Sequence, residues 1–565
     1  MRGLCRQKIR VPRRCFVLAQ DAMTSLAPAV QRIPLKLRIS LFFLTAVAKK
    51  EPKKGDVHWM NSYTIGVDFG GGAAKATLLR EDGTVVTTSQ REYPTYYPEN
   101  GWAEHDPDGH YDALCYCIRT LFEKSGVAPD AVSALAISAG SQQAVYLDEN
   151  DRPVRRAIYW SDNRGAAYAQ DLWQNHRDLV YSQCFNVAAP SRTLTHMMWI
   201  RDHEPENYKR IKKILFMKDY IRYRLTGDFV TDFIDAMGSL MMDVPNRRWS
   251  EELCAFAGLS PSILPKIINP EDIIGPLTPQ AIADTGLSPR TKVVTGSTDT
   301  VLEVYANGAI SQGDATIKLA TAGRICVITD RHLDDPMLIN YLHLVPGLWY
   351  PGAGTKSCAS SFRWYRDTLS AGEMMQAEKD GRDAYDLMDE MAAAIPPGSD
   401  DLYFHPYLQG ENTPYYDSDL RASFIGARLF HTKAHFTRAV LEGVGYSMKD
   451  SLDRVVSTGA TVKQANILGG GAKSPLWRQI IADMLGVELV MTKNSDSSLG
   501  AAMLAGVGIG MFSSYESSVK TCVKHDPTVH VVPNPETAGI YAEKFKIYRE
   551  IHDAMAPVYK KISRP

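Results

Sequence analysis

Three times in this chain an apolar, β-branched run breaks into a turn of glycine and other small residues, with a charged residue close by. The first is Tyr63-Thr-Ile-Gly-Val-Asp-Phe-Gly-Gly-Gly-Ala-Ala-Lys75 and the second is Val293-Val-Thr-Gly-Ser-Thr-Asp-Thr300. The third is Asn466-Ile-Leu-Gly-Gly-Gly-Ala472. Strand, glycine turn and then a charged residue is how a chain brings backbone N–H groups up to phosphates beside a metal-binding carboxylate. Three such turns in one chain point to a protein built around a nucleotide.

The pattern also divides the chain. Tyr63–Val67 reads as a strand, Ala74–Leu79 as its partner across the glycine turn, and Thr84–Thr88 as a third strand after the turn at Glu81-Asp-Gly83. Asp112–Ser125 has the spacing of an amphipathic helix, and Val132–Ser138 reads as a buried strand. Helical periods follow at Arg164–His176, Thr193–His203 and Lys218–Leu225. The second half opens like the first: strand Ala315–Leu319, turn Ala320-Thr-Ala-Gly323, returning strand Arg324–Thr329. Helices at Ala434–Val456 and Leu476–Leu485 and strands at Asn466–Leu468 and Leu489–Met491 complete it. At 565 residues the chain is too long for one core. The expected architecture is two-lobed and α/β, residues 61–310 and 311–565, with the site in the cleft between lobes.

Residues 1–60 stand apart. They hold 13 Lys/Arg against 3 Asp/Glu, whereas the remainder holds 50 against 61. The mildly acidic body argues against a nucleic-acid partner. Arg13-Arg-Cys-Phe-Val-Leu18 resembles a twin-arginine export signal, but the apolar stretch Ile39–Ala48 follows too late and is too short to span a bilayer. The expectation is a basic leader outside the fold, with Met60 as the true start and the body cytoplasmic. Nine cysteines without a C-x-x-C pair suit small apolar thiols in a reducing compartment.

Each turn has a chemical reading and a plainer one. Gly70, Gly71 and Gly72 leave no Cβ between backbone and a phosphate, with Lys75 close behind, and Asp68 could hold Mg²⁺ through water. A simple hairpin turn would look the same. Asp299 could accept a proton from an attacking hydroxyl, or cap the following helix. Leu468-Gly-Gly-Gly-Ala-Lys-Ser474 could lie against an adenine or ribose, or be a bare turn.

Together the turns resemble the FGGY family of carbohydrate kinases, and most closely its xylulose-kinase branch. Further likeness lies in Gly101-Trp-Ala-Glu-His-Asp-Pro107, Ala157-Ile-Tyr-Trp-Ser-Asp-Asn-Arg164, Lys218-Asp-Tyr-Ile-Arg-Tyr-Arg-Leu-Thr-Gly-Asp228, Pro406-Tyr-Leu-Gln-Gly-Glu-Asn-Thr-Pro414 and Ala439-Val-Leu-Glu-Gly-Val-Gly445. It spans roughly Tyr63 to Tyr559. The resemblance implies the two-domain actin/hexokinase-like (ribonuclease H-like) ATPase fold and phosphorylation of a ketopentose by Mg²⁺-ATP, with dimers common. It assigns Asp299 as catalytic base, and Asp68 and Asp299 to the metal. Gly70–Gly72 become the first phosphate loop, with Thr321 and Gly323 in the second. Gly470, Gly471 and Ser474 fall at the adenosine loop. Gln142, Gln143, Asp299 and Thr300 fall at the sugar, with Trp102, Asp162 and Arg164 expected to orient its hydroxyls.

The departures bear on substrate. Gly71 and Gly72 replace the first loop's usual Thr and Ser, and Ala-Thr-Ala-Gly replaces Gly-Thr-Ser-Gly, keeping only the Thr321 hydroxyl. His196 stands where Lys is usual. The sugar-facing Met-His has become Gln142-Gln143, and Gln143-Ala-Val-Tyr146 lacks the glycerol-kinase pattern. D-Xylulose is the expected acceptor, with L-xylulose, ribulose and apulose as alternatives. A nucleotide-dependent sugar sensor and an actin-like ATPase are the readings from other classes.

Overall fold

The computed structural model describes residues 62–563. β1 (Tyr63–Phe69) turns at the glycines into β2 (Ala73–Arg80), which returns as β3 (Val85–Glu92). With β4 (Val132–Ala139) and β5 (Lys292–Thr298) they form a sheet of order β5-β4-β1-β2-β3. The β1–β2 and β2–β3 pairs are antiparallel, and β1, β4 and β5 run parallel. A second sheet contains β6 (Asp314–Leu319), β7 (Gly323–Val327), β8 (Gly352–Thr355), β9 (Gln464–Leu468), β10 (Glu488–Thr492) and β11 (His525–Val531). Its order is β8-β7-β6-β9-β10-β11. It repeats the first sheet strand for strand: an antiparallel meander, then two parallel neighbours, with antiparallel β11 added at the edge.

The helices that matter here are α1 (Pro107–Ser125), α2 (Thr193–His203), α3 (Met217–Thr226), α4 (Asp299–Ala306), α5 (Lys433–Val456), α6 (Pro475–Leu485), α7 (Ser497–Gly508) and α8 (Pro535–Ser563). α1 begins earlier than its apolar spacing suggests. Asp106 caps it by accepting from Asp108 N, Pro107 supplies the first turn, and Gly126 closes it at φ +68°.

Both faces of the first sheet are covered, so its central strands are buried on both sides even where β1 carries Thr64 and Gly66 between its apolar residues. Ile65, Val67, Leu135 and Ile137 pack toward α1 and α3, while Ala134, Ala136 and Val294 pack toward α4 and α7. α7 follows β10 in sequence, yet lies against β1, β4 and α4. The 311 division therefore sorts strands between the sheets but not helices. α7 is buried all round from Ser497 to Gly506, and its small residues allow very close approach. A Cβ on Gly500 would lie 2.1 Å from the Leu302 carbonyl oxygen of α4. A Cβ on Gly66 would lie 2.0 Å from the Ser498 carbonyl oxygen.

The sequence did not announce β8, β11 or the 29-residue α8. Among the β11 residues only Val529 is buried, so no apolar run marks that strand. The expectations for residues 1–60 lie outside the described residues. Among the described residues, no helix is long and apolar enough to cross a membrane.

Candidate active site

Parallel strands carry their loops to one end, and here three loops meet. Asp68 pairs across the sheet with Ser138, and Ala139 is partnered by both Phe69 and Thr298. Asp68, the Gly140–Gln143 loop and Asp299 therefore leave the same end of adjacent strands. Asp68 Oδ1 accepts from Ser138 Oγ at 2.5 Å. Asp299 is the first residue of α4 rather than its cap, and Oδ1 accepts from Thr300 N at 2.6 Å and Thr300 Oγ1 at 3.2 Å.

The electrostatics favour a cation. Burial and then the charge of Asp299 push the Asp68 carboxyl up to about 8, against the Ser138 hydrogen bond. Burial also raises Asp299, although Lys318 and Arg324 pull it down. Among the described residues no group of three or more His, Cys, Asp or Glu could hold a metal. One or two carboxylates plus phosphate oxygens is what Mg²⁺ accepts, and the mutual repulsion of Asp68 and Asp299 is what a divalent cation would relieve.

The strain at Asp68 has a measurable sign. Its folded pKa lies above the ordinary carboxylate value, so between about pH 4 and 8 the folded protein keeps a proton that the unfolded chain has lost. Stability therefore falls as pH rises through that window. Asp68→Asn is expected to stabilise the ligand-free protein at pH 8 by on the order of 2 kcal/mol, raising its thermal midpoint, and to leave it nearly unchanged at pH 4. Thermal melts in chelator at both pH values check this; an equal difference at both would show that Asp68 carries no such strain.

The first glycine turn holds its carbonyls back. Tyr93 Oη donates to Gly70 O at 2.5 Å, Thr95 Oγ1 to Gly71 O at 2.8 Å, and Tyr93 N to Gly72 O at 3.1 Å. The amides of Gly71 and Gly72 have no partner among the described residues, the arrangement a phosphate loop needs. None of the three glycines is left-handed, so the backbone does not require glycine here. Open space surrounds Gly72. Lys75 is not free: it forms an ion pair with Asp496, the cap of α7. Burial works upward on Asp496, but hydrogen bonds from Lys75 and Ser498 hold it below its ordinary value.

In the second loop Thr321 is exposed, and its carbonyl is held by Cys358 N at 3.0 Å and Ser360 Oγ at 2.7 Å. Gly323 is a packing requirement, since a Cβ there would meet Met448 Sδ at 2.6 Å. The third loop divides similarly. Gly470 faces open space, whereas Gly471 sits under Trp477, and Ser474 Oγ caps α6 by accepting from Trp477 N at 3.0 Å. Ser474, Gly471 and Gly323 thus shape their loops from behind.

On the sugar side, Gln142 has a left-handed backbone, φ +55°. Its N–H donates to Asp235 Oδ1 at 2.6 Å and its carbonyl accepts from Thr193 Oγ1 at 2.7 Å. Asp235 belongs to a wholly buried cluster with Lys218, Asp219, Asp232 and Arg222. Ser297 Oγ of β5, two residues before Asp299, donates to Asp232 Oδ1 at 3.0 Å. One polar core thus backs both Gln142 and the approach to Asp299. Gln142 Oε1 accepts from Arg192 Nη1 at 3.2 Å and Tyr341 Oη at 3.0 Å. Gln143 Nε2 contacts His105 Nδ1 at 3.1 Å.

Asp162 and Arg164 are placed differently from the expectation. Their side chains have no exposed surface. Arg164 Nε and Nη2 donate to Asp162 at 2.9 and 2.8 Å, Nη2 also reaches Glu104 at 2.9 Å, and the guanidinium lies 4.0 Å over the Trp102 ring. Asp162 also accepts from Ala103 N at 2.7 Å. The expected contact of these two with substrate is corrected to a supporting role: both side chains are fully buried and most of their hydrogen bonds fix the Trp102 segment, with only Arg164 Nη1 left without a partner. His196 is buried and without a hydrogen-bond partner, and burial pushes its pKa down to about 3.

Several neighbours of the site gave no local signal. Arg324 Nη1 donates to Thr300 Oγ1 at 3.3 Å, and Lys318 pairs with Glu303 at 2.6 Å, joining β6 to α4. Arg192 and Tyr341 are far from Gln142 in sequence. Asp496 alone was findable, since Asp before Ser497-Ser is a cap signature.

Known proteins share this fold. Residues 63–305 match the N-terminal domain of the FGGY family of carbohydrate kinases, and residues 316–509 match its C-terminal domain. A xylulose kinase of Lactococcus lactis is 31% identical over 494 residues, covering 87% of this chain and 96% of that protein. A gluconokinase of Bacillus subtilis is 31% identical over 477 residues, covering 83% and 92%. The crystal structure of ligand-bound xylulose kinase from Lactobacillus acidophilus superposes with a TM-score of 0.82 at 27% identity, covering 89% of this chain and all of that one. Twin sheets, paired carboxylates and glycine turns, together with family matches over most of its length, show that this chain belongs to the FGGY family of carbohydrate kinases.

Proposed function

We propose that this carbohydrate kinase transfers the γ-phosphoryl group of ATP to the terminal hydroxyl of a ketopentose, with D-xylulose the first candidate. The observation carrying the reading is the pairing of Asp68 and Asp299 at adjacent strand ends, beside a glycine turn with two free amides. Xylulose kinases among the relatives favour D-xylulose. L-Xylulose, ribulose and apulose remain alternatives because Gln142 and Gln143 face the sugar.

The residues divide the work as follows. Asp299 accepts the proton of the attacking hydroxyl; its anchoring by Thr300 N fixes the accepting oxygen, and its raised pKa makes it a stronger base. The hydroxyl oxygen then bonds to the γ-phosphorus as the bond to the β–γ bridging oxygen breaks, giving a phosphate ester and ADP. Gly71 and Gly72 amides and Thr321 would hold the phosphates, and Gly470 would lie against the adenosine. Arg324, beside Thr300, would balance charge on the transferred group. Asp68 and Asp299 would hold Mg²⁺, which when bound neutralises phosphate charge. Gln142 keeps its amide donors for the sugar, because Arg192 and Tyr341 occupy its oxygen.

Coupled ADP release with Mg²⁺-ATP across ketoses, aldoses and polyols tests the reading. One ketopentose turned over well above the rest is the expected result. ATP hydrolysis indifferent to every sugar would favour an actin-like ATPase, and ATP binding without any turnover would favour a sensor.

A further inference from the structure

Gly71 is kept small by a neighbour rather than by its backbone. Its φ is not left-handed and the residue is exposed, yet a Cβ there would lie 2.9 Å from Tyr159 Oη. A phenol therefore stands where a side chain of the first turn would be. Across Gly70, Gly71 and Gly72 that turn has no hydroxyl of its own.

Several contacts hold Tyr159 in this place. Its N–H donates to Ala103 O at 2.9 Å, and its carbonyl accepts from Asp162 N at 3.0 Å. The ring packs on His105 with centroids 4.4 Å apart. His105 Nε2 lies 2.9 Å from Thr95 Oγ1, and the same Thr95 hydroxyl donates to Gly71 O at 2.8 Å. One short chain of contacts thus fixes both the phenol and the glycine beside it. The ring also passes 4.0 Å from where a Cβ of Gly140 would be. Gly140 leaves β4, whose sheet neighbours carry Asp68 and lead into Asp299, so the ring lies at the strand ends where both carboxylates emerge.

The hydroxyl proton is unspent. The Trp160 indole reaches the Tyr159 oxygen, and an indole N–H can only donate. No described residue accepts the phenol's own proton in a hydrogen bond. Tyr93, the other tyrosine at this turn, is the contrast, since it gives its hydroxyl to Gly70 O. Burial first, then the charge of Asp299 and more weakly that of Asp68, raises the pKa of the Tyr159 phenol against the Trp160 bond. The group therefore stays protonated, and able to donate, throughout the neutral range.

We propose that Tyr159 is a further catalytic residue of this centre: its O–H donates to an oxygen of the γ-phosphoryl group, in the place a side chain of the first turn would otherwise take. The phenol keeps its proton. The attacking hydroxyl still gives its proton to Asp299, and ADP still leaves with the bridging oxygen. Tyr159 adds one fixed donor to the charge that spreads over the phosphoryl oxygens during transfer. The inference rests on the reading of this site as a kinase centre, but not on any particular sugar.

Two readouts on the full-length protein test it. Tyr159→Phe keeps the ring on His105 and removes only the oxygen. It should lower kcat on the preferred sugar about 10- to 100-fold, the worth of a hydrogen bond to a charged group, with an unchanged melting point. In calorimetric titrations its ratio of affinity for Mg²⁺-ATP over Mg²⁺-ADP should fall about tenfold below that of the wild type. A hydroxyl moved onto the turn should compensate. Gly71→Thr in the wild type crowds Tyr159 and should slow the enzyme. Added to Tyr159→Leu, which makes room, it should raise kcat about tenfold, whereas Gly71→Val in its place should not. Tyr159→Phe keeping more than about half of wild-type kcat, or equal effects of Thr and Val at 71, would overturn the inference and leave the kinase intact. If the wild type phosphorylates no sugar, the kinase reading itself has failed and the titrations decide alone. A lowered ATP-to-ADP ratio in Tyr159→Phe then sustains the phosphate contact, and an unchanged ratio ends it.

Discussion

Asp299→Asn is expected to lower kcat by about 10²- to 10⁴-fold, the share a general base contributes to such a transfer. The substitution is gentle on structure. Asparagine can still accept the Thr300 N–H bond that fixes Asp299 Oδ1, and α4 keeps its first residue. What disappears is the basic oxygen. Positioning remains and Asp68 still offers the metal a carboxylate, so activity should fall without vanishing. The loss should appear in kcat with little change in KM, because the proton leaves only as the new bond forms. The neutral side chain also removes a repulsion from Asp68, so the protein should melt no lower than the wild type. Steady-state kinetics on the preferred sugar, with a melt as control, reads both. Retention of more than about a tenth of wild-type kcat would remove Asp299 from the role of base.

Gly66→Ala should be among the most damaging single methyl additions in the first lobe. Gly66 lies in the middle of β1, and its added Cβ would sit 2.0 Å from Ser498 O and 2.3 Å from Ala502 N. Neither neighbour is the end of a flexible side chain. α7 would have to lift off the sheet, and its Thr64 Oγ1 to Ala502 O bond of 2.8 Å would stretch with it. Overpacking against side chains commonly costs about 1–3 kcal/mol, and a clash with backbone should reach the upper end or pass it. Little soluble protein, or a melting point several degrees lower, is the expected outcome. Wild-type yield and melting point would mean that α7 does not lie this close to β1. Gly72→Ala is the contrasting control, because nothing stands within 4 Å of the Cβ it would add.

The sequence was legible where structure is local. The run from Tyr63 through three glycines to Lys75 became β1, its turn and β2, because alternating apolar residues and a glycine break specify a hairpin over a dozen positions. Val293–Asp299 became strand then helix for the same reason, and Thr193–His203 appeared with the bounds its spacing predicts. Long-range pairing was not legible. Lys75 finds Asp496 across 421 positions and Gln142 finds Tyr341 across 199, and nothing in either segment announces its partner. The contrast between Arg164 and Arg192 is the sharper lesson. In sequence Arg164 looked ready for a ligand, beside a carboxylate and close to tryptophan, yet in the fold those neighbours take its Nε and Nη2 and leave only Nη1 without a partner. Arg192 drew no notice, yet it is buried against Gln142 and Tyr341 with its Nε unpartnered.

The path of α7 has a consequence for synthesis. The five strands of the first sheet have all been made once residue 298 leaves the ribosome, but the helix that covers one face spans residues 497–508. Ala134, Ala136 and Val294 must wait through some two hundred further residues before that cover arrives. At about 5–20 residues per second the exposed face persists for on the order of ten seconds or more, long enough for chaperones or aggregation to compete. The nascent first lobe cannot finish folding on its own, and its completion is timed by the translation of the second.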